Sequence, residues 1–333
     1  MVGISYHASH EQFTPRDLVR FVQAAERAGF SGAMSSDHAA PWSDRQGQSG
    51  FALSWMGAAL QATHFPIGMI TIPGGWRFHP VVIAQATATL AQMFPGRFPW
   101  VAFGSGEALN ERVVGEGWPD KPERHRRLRA AVDIVRALWN GETVSSPDPI
   151  PTLDAKLYTL PETPPLILGA ALSPETAEWC GGWADGLITI NQPREKLAGI
   201  VEAFRRGGGS GKPLYLQVHV SWAEDDGEAR ANAFDQWRSN AIPAHLAGNL
   251  PTPDHFEEAT RDVRPEDMDE HVRISSDPAR HAAWITEDIS MGFSEIVLHN
   301  VGRNQQAFIE FFGREVLPRV HRDVPPSGTG AAT

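Results

Sequence analysis

The chain has 333 residues, of which 41% are hydrophobic, and it carries a formal net charge of −11. This length and apolar content suffice for one large domain, and the acidic balance without a dense basic cluster excludes nucleic-acid binding driven by charge. No stretch approaches the roughly 20 apolar residues of a membrane helix, and the N-terminus lacks the features of a signal peptide. We therefore expect a cytoplasmic protein that does not contact membranes.

The first half of the chain alternates short apolar runs with amphipathic stretches. Strands are predicted at residues 3–6, 31–35, 67–72 and 98–103. Thr14 and Pro15 are typical of a helix start, as a cap and a first-turn proline. Later helices are predicted at residues 53–62 and 123–139, and another begins at Pro80. The Pro80 helix is expected to direct five apolar side chains inward: Val82, Ile83, Ala86, Leu90 and Met93.

The same alternation continues in the second half. Strands are predicted at residues 166–169, 186–189, 214–220 and 295–299, with helices that begin at Pro174, Arg194 and Gln305. The glycine run at residues 207–211 is interpreted as a helix stop and connector, because a strand follows it where a phosphate loop would lead into a helix. Residues 222–285 are too many for one crossover, so we expect inserted helices after the seventh strand.

Eight strand-then-helix units in one chain indicate parallel strands joined by crossover helices. At this length they fit a closed barrel better than an open sheet. The predicted fold class is α/β: a single (β/α)8 TIM barrel over residues 1–320, with a helical insertion after the seventh strand. Residues 321–333 are small and polar at their end and are expected to form a disordered tail.

Polar side chains follow most of the predicted strands at the point where the strand ends. In a barrel of this type these ends meet at one mouth, where the active site lies. Carboxylates and imidazoles that converge there are suited to proton transfer. The set comprises His7, His10, Glu11, Asp37, His38, Trp42, Glu107, Asn110, Ser173, Asn191, Gln192, His219, His299, Asn300 and Arg303.

Each of these residues also has a simpler interpretation. Asp37 can cap a turn, His38 can be a polar residue of the barrel rim, and Glu107 can be the first-turn acid of a short helix. The arginines of the 123–139 helix are interpreted as a solvated face in preference to an anion site. The single cysteine, Cys180, is interpreted as a core residue.

Metal and dinucleotide sites are not indicated by the spacing. The strand ends lack the His-x-His and Glu-x-x-x-His patterns of zinc sites. The turn at residues 104–106 has two glycines but neither the third glycine nor the acidic partner of a dinucleotide fingerprint. No metal is therefore expected.

Several stretches resemble the luciferase-like flavin monooxygenase superfamily, and within it the group around the F420-dependent glucose-6-phosphate dehydrogenases. The matching stretches of the first half are residues 6–13, 36–38 with 41–42, 54–56, 79–86 and 104–111. In the second half, residues 181–189, 191–194 and 298–305 are most similar to a sister subgroup of flavinoid oxidoreductases that do not use the deazaflavin. This resemblance covers the chain to about residue 319.

The resemblance implies catalytic roles for four residues. His38 matches the proposed base on the substrate hydroxyl, and Trp42 matches a residue that stabilises the developing anion. Glu107 matches a proton donor near the reacting ring carbon, and Glu11 matches a second acid.

The resemblance also implies a flavin-type cofactor, with FMN slightly preferred and coenzyme F420 close behind. Asp37 and Asn110 match cofactor-contacting residues, and a strained non-proline cis peptide is expected near Ile70–Thr71. The cofactor phosphate is expected on the turn before the Pro174 helix, because backbone amides and the helix dipole favour an anion there. That turn consists of Ala170, Ala171, Leu172 and Ser173.

The departures from the family concern the sugar phosphate. Ile190, Pro193 and Glu270 stand where the family places a threonine and two lysines, so glucose 6-phosphate is not the expected substrate. The predicted function is oxidation–reduction, by hydride transfer or monooxygenation, of a small organic substrate. The alternatives are a non-redox hydrolase or lyase that uses Glu107 with His38, and a catalytically silent cofactor-binding protein. The family resemblance also implies a homodimer.

Overall fold

The computed structural model describes residues 2–323, which fold around a closed barrel of parallel strands. Strands and helices are numbered in chain order over this range. The strands are β1 Gly3–Ala8, β2 Gly32–Ser36, β3 Ile67–Thr71, β4 Trp100–Phe103, β5 Val144–Ser146, β6 Thr152–Ala155, β7 Leu166–Ala170, β8 Gly186–Ile190, β9 Leu214–Ser221, β10 Arg273–Ile274 and β11 Glu295–Asn300.

The helices surround the barrel. They are α1 Pro15–Arg27, α2 Ala52–Ala62, α3 Pro80–Met93, α4 Ala108–Glu111, α5 Lys121–Trp139, α6 Pro174–Gly181, α7 Arg194–Phe204, α8 Asp226–Trp237, α9 Ala244–Ala247, α10 Pro253–Ala259, α11 Pro278–Ser290, α12 Gln305–Phe311 and α13 Leu317–Asp323. None of these described helices is long and apolar enough to span a bilayer.

Closure follows from the strand pairing. The order β11-β1-β2-β3-β4-β7-β8-β9 is parallel throughout, and β9 pairs with both β8 and β11. The eight-stranded barrel is therefore confirmed. Strand β10 adds to β9 through Arg273, which pairs with Val220.

The barrel interior is filled by one side chain from each of several strands. Met34, Ala102, Leu168, Ile188 and Val297 form this cluster. Below them Trp100 lies across the barrel, and a Cβ atom on Gly68 would come within 2.1 Å of its ring. Glycine is required at position 68 because the indole occupies the space of any side chain.

Helix starts follow the predicted signals, as α1 shows. The Thr14 hydroxyl accepts a hydrogen bond from the Asp17 amide, Pro15 occupies the first turn, and Gly29 follows the helix with φ 93°. The capping group and the left-handed glycine fix both ends of the helix.

The predicted inner face of α3 is partly wrong. Ile83 and Leu90 are buried, but Val82 and Met93 are 51% and 55% exposed. At 100° per residue the buried residues centre near Pro80 and Thr87, so Val82 and Met93 fall on the opposite side. The helix therefore presents apolar side chains to solvent.

The inserted helices are confirmed after β9, the seventh barrel strand. Helices α8, α9 and α10 lie between β9 and α11. Ala229, Ala233 and Trp237 of α8 form a small core with Met268, which follows α10, and Trp42 packs against it. The insertion is thus anchored beside one of the predicted site residues.

The glycine run that follows α7 is a close-packed connector. A Cβ atom on Gly207 would come within 1.8 Å of the Glu178 carbonyl oxygen in α6. Helical turns continue to Gly209 with a break at Gly208, where φ is 107°, and β9 follows the run. Glycine is required at position 207 by this approach of α6 to the end of α7.

The barrel domain extends slightly beyond its predicted end. Helix α13 continues to Asp323, three residues past the predicted boundary at residue 320, because its helical turns continue from Leu317. The remainder of the predicted tail, residues 324–333, lies outside the described residues.

Candidate active site

Glu11 and His38 form a buried acid–imidazole pair at the mouth of the barrel. The turn after β1 supplies Glu11, and the exit of β2 supplies His38. One carboxylate oxygen, Oε1, is in hydrogen-bond contact with His38 Nδ1. The Ser9 hydroxyl donates to Oε2 at 2.7 Å, and the Ser36 hydroxyl lies 3.3 Å from Oε1. These contacts hold the carboxylate and leave His38 Nε2 for a ligand.

The pKa values of the pair move in opposite directions. Burial by itself raises the pKa of Glu11, but the His38 charge and hydrogen bond outweigh it and lower that pKa. Burial by itself lowers the pKa of His38, but the charge of Glu11 and its hydrogen bond, followed by Glu107 and Asp37, raise it. The fold therefore favours a carboxylate beside an imidazolium.

Glu107 and Trp42 lie on the other side of His38. The Trp42 and His38 rings meet edge to face with centroids 4.6 Å apart. Glu107 precedes α4, and burial raises its pKa, although His38 and a hydrogen bond with Trp42 act in the lowering direction. Two carboxyl groups with opposite pKa shifts thus flank one imidazole, an arrangement suited to acid–base chemistry.

Asn110 connects the two sides of this group. Its Oδ1 accepts the Ala39 amide at 2.8 Å and lies 3.4 Å from the Ala40 amide, and its Nδ2 lies 3.4 Å from Glu107 Oε2. The amide side chain therefore positions the loop after His38 against Glu107. Its predicted contact with the cofactor ring stays a prediction.

Asp37 lies in a buried ionic cluster. Its Oδ2 is 2.8 Å from Arg77 Nη2, and the Thr71 hydroxyl donates to it at 3.2 Å. Glu111 lies 4.0 Å from Arg77 Nε, and burial raises the pKa of Glu111 to about 7 against the opposing charge of Arg77. Arg77 was not identified from the sequence. The signal that could have found it is the need of a buried carboxylate for a counter-charge.

The expected cis peptide at Ile70–Thr71 is wrong. Within residues 2–323 the cis bond is Asp148–Pro149. Ile70 and Thr71 continue the regular ladder of β3, opposite Ala102 and Phe103, which extended trans backbone satisfies. Ile70 packs against the barrel interior, whereas Thr71 is directed to Asp37.

Three imidazoles lie deeper in the mouth. His7 and His299 have ring centroids 4.4 Å apart, and His219 lies 5.4 Å from His299. Burial lowers the pKa of His7 to about 4 and of His219 to about 3, and it lowers the pKa of His299 well below the usual value. The rings are therefore uncharged near neutral pH. Among the described residues no group of His, Cys, Asp or Glu is arranged to hold a metal ion.

Trp237 completes this region and was not identified from the sequence. It comes from the end of α8 and lies 4.4 Å from His299 and 5.3 Å from Trp42, measured between ring centroids. No local signal could have placed it, because the path of the insertion is set by its own core. Two tryptophans and the three uncharged imidazoles therefore line the mouth.

Other residues at the strand ends make contacts within the fold. His10 packs edge to face on Trp55, with centroids 4.9 Å apart. Asn300 donates to Asn304 at 3.0 Å, and the Arg303 guanidinium hydrogen-bonds the Arg45 carbonyl. Asn191 accepts the His219 amide at 2.8 Å. Gln192 Nε2 lies 3.4 Å from the Leu172 carbonyl.

The turn before α6 suits an anionic group. Ser173 is the helix cap, and its hydroxyl accepts the Thr176 amide at 3.3 Å. Ala170 and Ala171 are small, and a Cβ atom on the neighbouring Gly104 would lie 3.8 Å from that of Ala170. Gly104 also lies against Ile72, whose Cδ1 would be 3.1 Å from that added Cβ atom. The turn thus offers small residues and a capped helix N-terminus, which favours an anion.

A barrel with an acid–imidazole pair and a second carboxyl at its mouth has groups suited to acid–base chemistry, and comparison with known proteins gives the family. The Luciferase-like monooxygenase family matches residues 2–295. The chain belongs to this family. The predictions of the family, of the barrel and of an oxidoreductase of this type are confirmed.

Individual relatives are similar over almost the whole chain. An F420-dependent glucose-6-phosphate dehydrogenase of Kribbella flavida is 34% identical, over 96% of this chain and 99% of the relative. The Mycobacterium tuberculosis protein of the same name is 32% identical, over 96% and 98%. The structure of an F420-dependent secondary alcohol dehydrogenase in complex with an F420–acetone adduct superposes with a TM-score of 0.88 at 30% identity, over 96% and 99%.

Proposed function

We propose that the protein is an F420-dependent dehydrogenase that interconverts a small uncharged alcohol and its carbonyl compound. The observation that carries this proposal is the Glu11–His38 pair, which presents an imidazole Nε2 at the mouth beside Glu107. Oxidation of an alcohol requires a proton acceptor next to a hydride acceptor, and His38 fits the first role.

Coenzyme F420 is placed ahead of FMN, which reverses the order favoured by the sequence. The relatives described above, at 30–34% identity, have F420-dependent names. The N-terminus of α6, capped by Ser173, suits the phosphate-bearing chain of such a cofactor. FMN carries the same phosphate and remains the second candidate.

An uncharged substrate is supported by the charges near β8 and the insertion. Ile190, Pro193 and Glu270 offer no cation for a phosphate. Three arginines of this region are neutralised by carboxylates: Arg194 by Glu287 at 2.7 Å, Arg230 by Asp269 at 3.0 Å and Arg273 by Asp288 at 2.5 Å. The neutral imidazoles and the two tryptophans of the mouth match a small, weakly polar molecule better than a sugar phosphate.

In the proposed reaction the substrate hydroxyl gives its proton to His38 Nε2. Glu11 stabilises the resulting imidazolium and keeps the Nδ1 proton on its own side. A bound deazaflavin supplies the hydride acceptor. Glu107, whose raised pKa favours the protonated carboxyl, can donate a hydrogen bond to the substrate oxygen. In the reverse direction His38 returns the proton.

The proposal is tested by turnover with a panel of small secondary alcohols and with glucose 6-phosphate, using F420 or FMN. We expect loss of the oxidised deazaflavin absorbance with one or more alcohols. With glucose 6-phosphate, kcat/KM should stay below about 10⁴ M⁻¹s⁻¹, the lower end of the usual enzymatic range. Efficient oxidation of the sugar phosphate would contradict the substrate assignment. Turnover of an ester or a lyase substrate without a cofactor would favour the hydrolase alternative.

Replacing Glu11 with glutamine should move the pH profile. Alcohol oxidation needs neutral His38, so its rate rises with pH through the His38 pKa. Glu11 raises that pKa, and without the carboxylate charge burial lowers it. The rising limb of kcat/KM in Glu11→Gln is therefore expected at lower pH than in the parent. Ser9→Ala, which removes only a hydrogen bond to Glu11, is the matched control. If the rising limb stays at the pH of the parent, Glu11 does not set the pKa of the catalytic base.

The homodimer and the cytoplasmic location are kept as proposals. The exposed apolar side chains Val82 and Met93 on α3, with Phe51 at the start of α2, support a subunit contact on this side of the barrel. Sedimentation at micromolar protein concentration tests the dimer, and a monomeric mass would contradict it.

A further inference from the structure

We propose that Arg124 binds the anionic chain of the cofactor beyond its ring, through a phosphate or carboxylate oxygen. This inference rests on the proposed deazaflavin or flavin cofactor and adds an anchoring residue to it. It starts from the arginines of α5, which the sequence analysis interpreted together as a solvated face.

Arg124 differs from its three neighbours in its charge partners. Arg126 and Arg127 lie 2.7 Å and 3.1 Å from Glu123, and Arg129 lies 2.6 Å from Asp133. Residues 2–323 contain no carboxylate in salt-bridge contact with Arg124. Its Nη1 is instead within 3.3 Å of the Pro119 carbonyl, and its Nε is buried without a hydrogen-bond partner. A half-buried guanidinium with unused donors is suited to an anionic ligand.

The helix spacing directs Arg124 toward the mouth. It precedes the buried residues Leu128, Ala131 and Val135 by four, seven and eleven positions, which places it on the inner face of α5. Burial lowers the pKa of Arg124, with Asp120 opposing only in part. The guanidinium is thus partly desolvated on the inner face of α5.

Trp118 connects Arg124 to the turn before Glu107. The guanidinium lies over the Trp118 ring at 4.6 Å. The same ring approaches Gly106, where an added Cβ atom would lie 3.0 Å from the indole. Arg124 Nη1 also lies 3.5 Å from Asn249, which follows the Gly248 carbonyl that accepts the Ala108 amide at 3.0 Å. Arg124 is therefore linked through Trp118 to the turn that carries Glu107.

The first turn of α5 also reaches the predicted phosphate turn. Lys121 Nζ lies 3.4 Å from Glu175 in the first turn of α6. The rings of His125 and Trp179 stack between the two helices at 4.4 Å. A chain that leaves a ring near Glu107 and passes to the α6 N-terminus thus runs along the α5 face that carries Arg124. The anionic groups of the cofactor on this path are its phosphate and, in F420, the glutamyl carboxylates.

The test compares Arg124→Gln with the parent in calorimetric binding of four compounds. F420 carries a phosphate and a glutamyl tail, and FMN carries a phosphate. The neutral deazaflavin nucleoside and riboflavin carry neither. We expect Arg124→Gln to lose about 10- to 100-fold in affinity for F420, the scale of a lost charge-assisted contact, and little for the neutral compounds. Arg124→Lys should lose less, and Arg126→Gln, on the outer face, should bind as the parent does.

The pattern of losses identifies the anion. A loss for both F420 and FMN assigns the phosphate, and a loss for F420 alone assigns the tail. An equal loss for F420 and the neutral nucleoside, or no loss at all, overturns the inference while leaving the proposed function intact. If the parent protein binds neither F420 nor FMN, both proposals fail. Melting temperatures of the variants establish that the fold is retained.

Discussion

His38→Ala is expected to lower turnover on the alcohol substrate by about 10²-fold or more, the usual scale for a positioned general base. The imidazole is held by Glu11 on one side and by the Trp42 ring on the other, so its loss removes the proton acceptor from a fixed place. Cofactor affinity should change much less. Steady-state kinetics with a saturating cofactor, together with a cofactor titration, measure the two effects separately.

Two controls separate catalysis from folding. His64→Ala changes a histidine whose side chain is 95% exposed and should leave turnover unchanged. Added imidazole should restore part of the turnover of His38→Ala, because alanine leaves a cavity beside Glu11. If His38→Ala stays within a few-fold of the parent while its melting temperature falls, His38 is a rim residue and the assignment of the base is wrong.

Arg77→Met is expected to destabilise the protein by about 3–5 kcal/mol, because it leaves the buried Asp37 carboxylate without its counter-charge. The Asp37 side chain is fully enclosed, and Arg77 makes its closest charged contact, at 2.8 Å. Denaturant unfolding followed by fluorescence measures the loss, and the urea midpoint should fall strongly.

The double variant Asp37→Asn/Arg77→Met is the matched control. It removes both charges, so a large part of the lost stability should return. If the double variant is as unstable as Arg77→Met, the loss comes from packing of the arginine stem and not from an uncompensated charge. Weak cofactor binding by a well-folded double variant would support the predicted cofactor contact of Asp37.

The barrel was predictable because its signals are local. Each apolar run and the polar residue at its end lie within a few positions of each other, as in β2 with His38 and in β4 with Glu107. A closed parallel barrel then brings these ends to one mouth without further information. Glu11 and His38 meet although they lie on different strand exits.

The features that the sequence did not predict depend on contacts between residues far apart in the chain. Arg77 and Asp37 are 40 positions apart, and Trp237 reaches His299 only through the path of the insertion. The inner face of α3 was misjudged at Val82 and Met93 because that helix is apolar on nearly all sides, which leaves its periodicity weak. Arg124 differs from the neighbouring arginines of α5 in its charge partners, and these partners are set by the folded structure.

The attachment of the insertion has a consequence for how new specificities arise. The wall residue Trp237 comes from one contiguous segment between β9 and α11, whereas the base and its carboxylate come from the first two strand exits. Exchange of that segment between homologues could therefore alter the substrate range and leave the proton relay in place. Such an exchange would have to keep the contacts of Gln236, whose side-chain oxygen accepts a hydrogen bond from Gln12 at 3.2 Å and whose backbone carbonyl accepts one from Gln46 at 2.9 Å. It would also have to keep the contact of Arg45 with Glu257, at 2.5 Å. A donor segment without glutamine at position 236 would loosen the loop that carries Glu11.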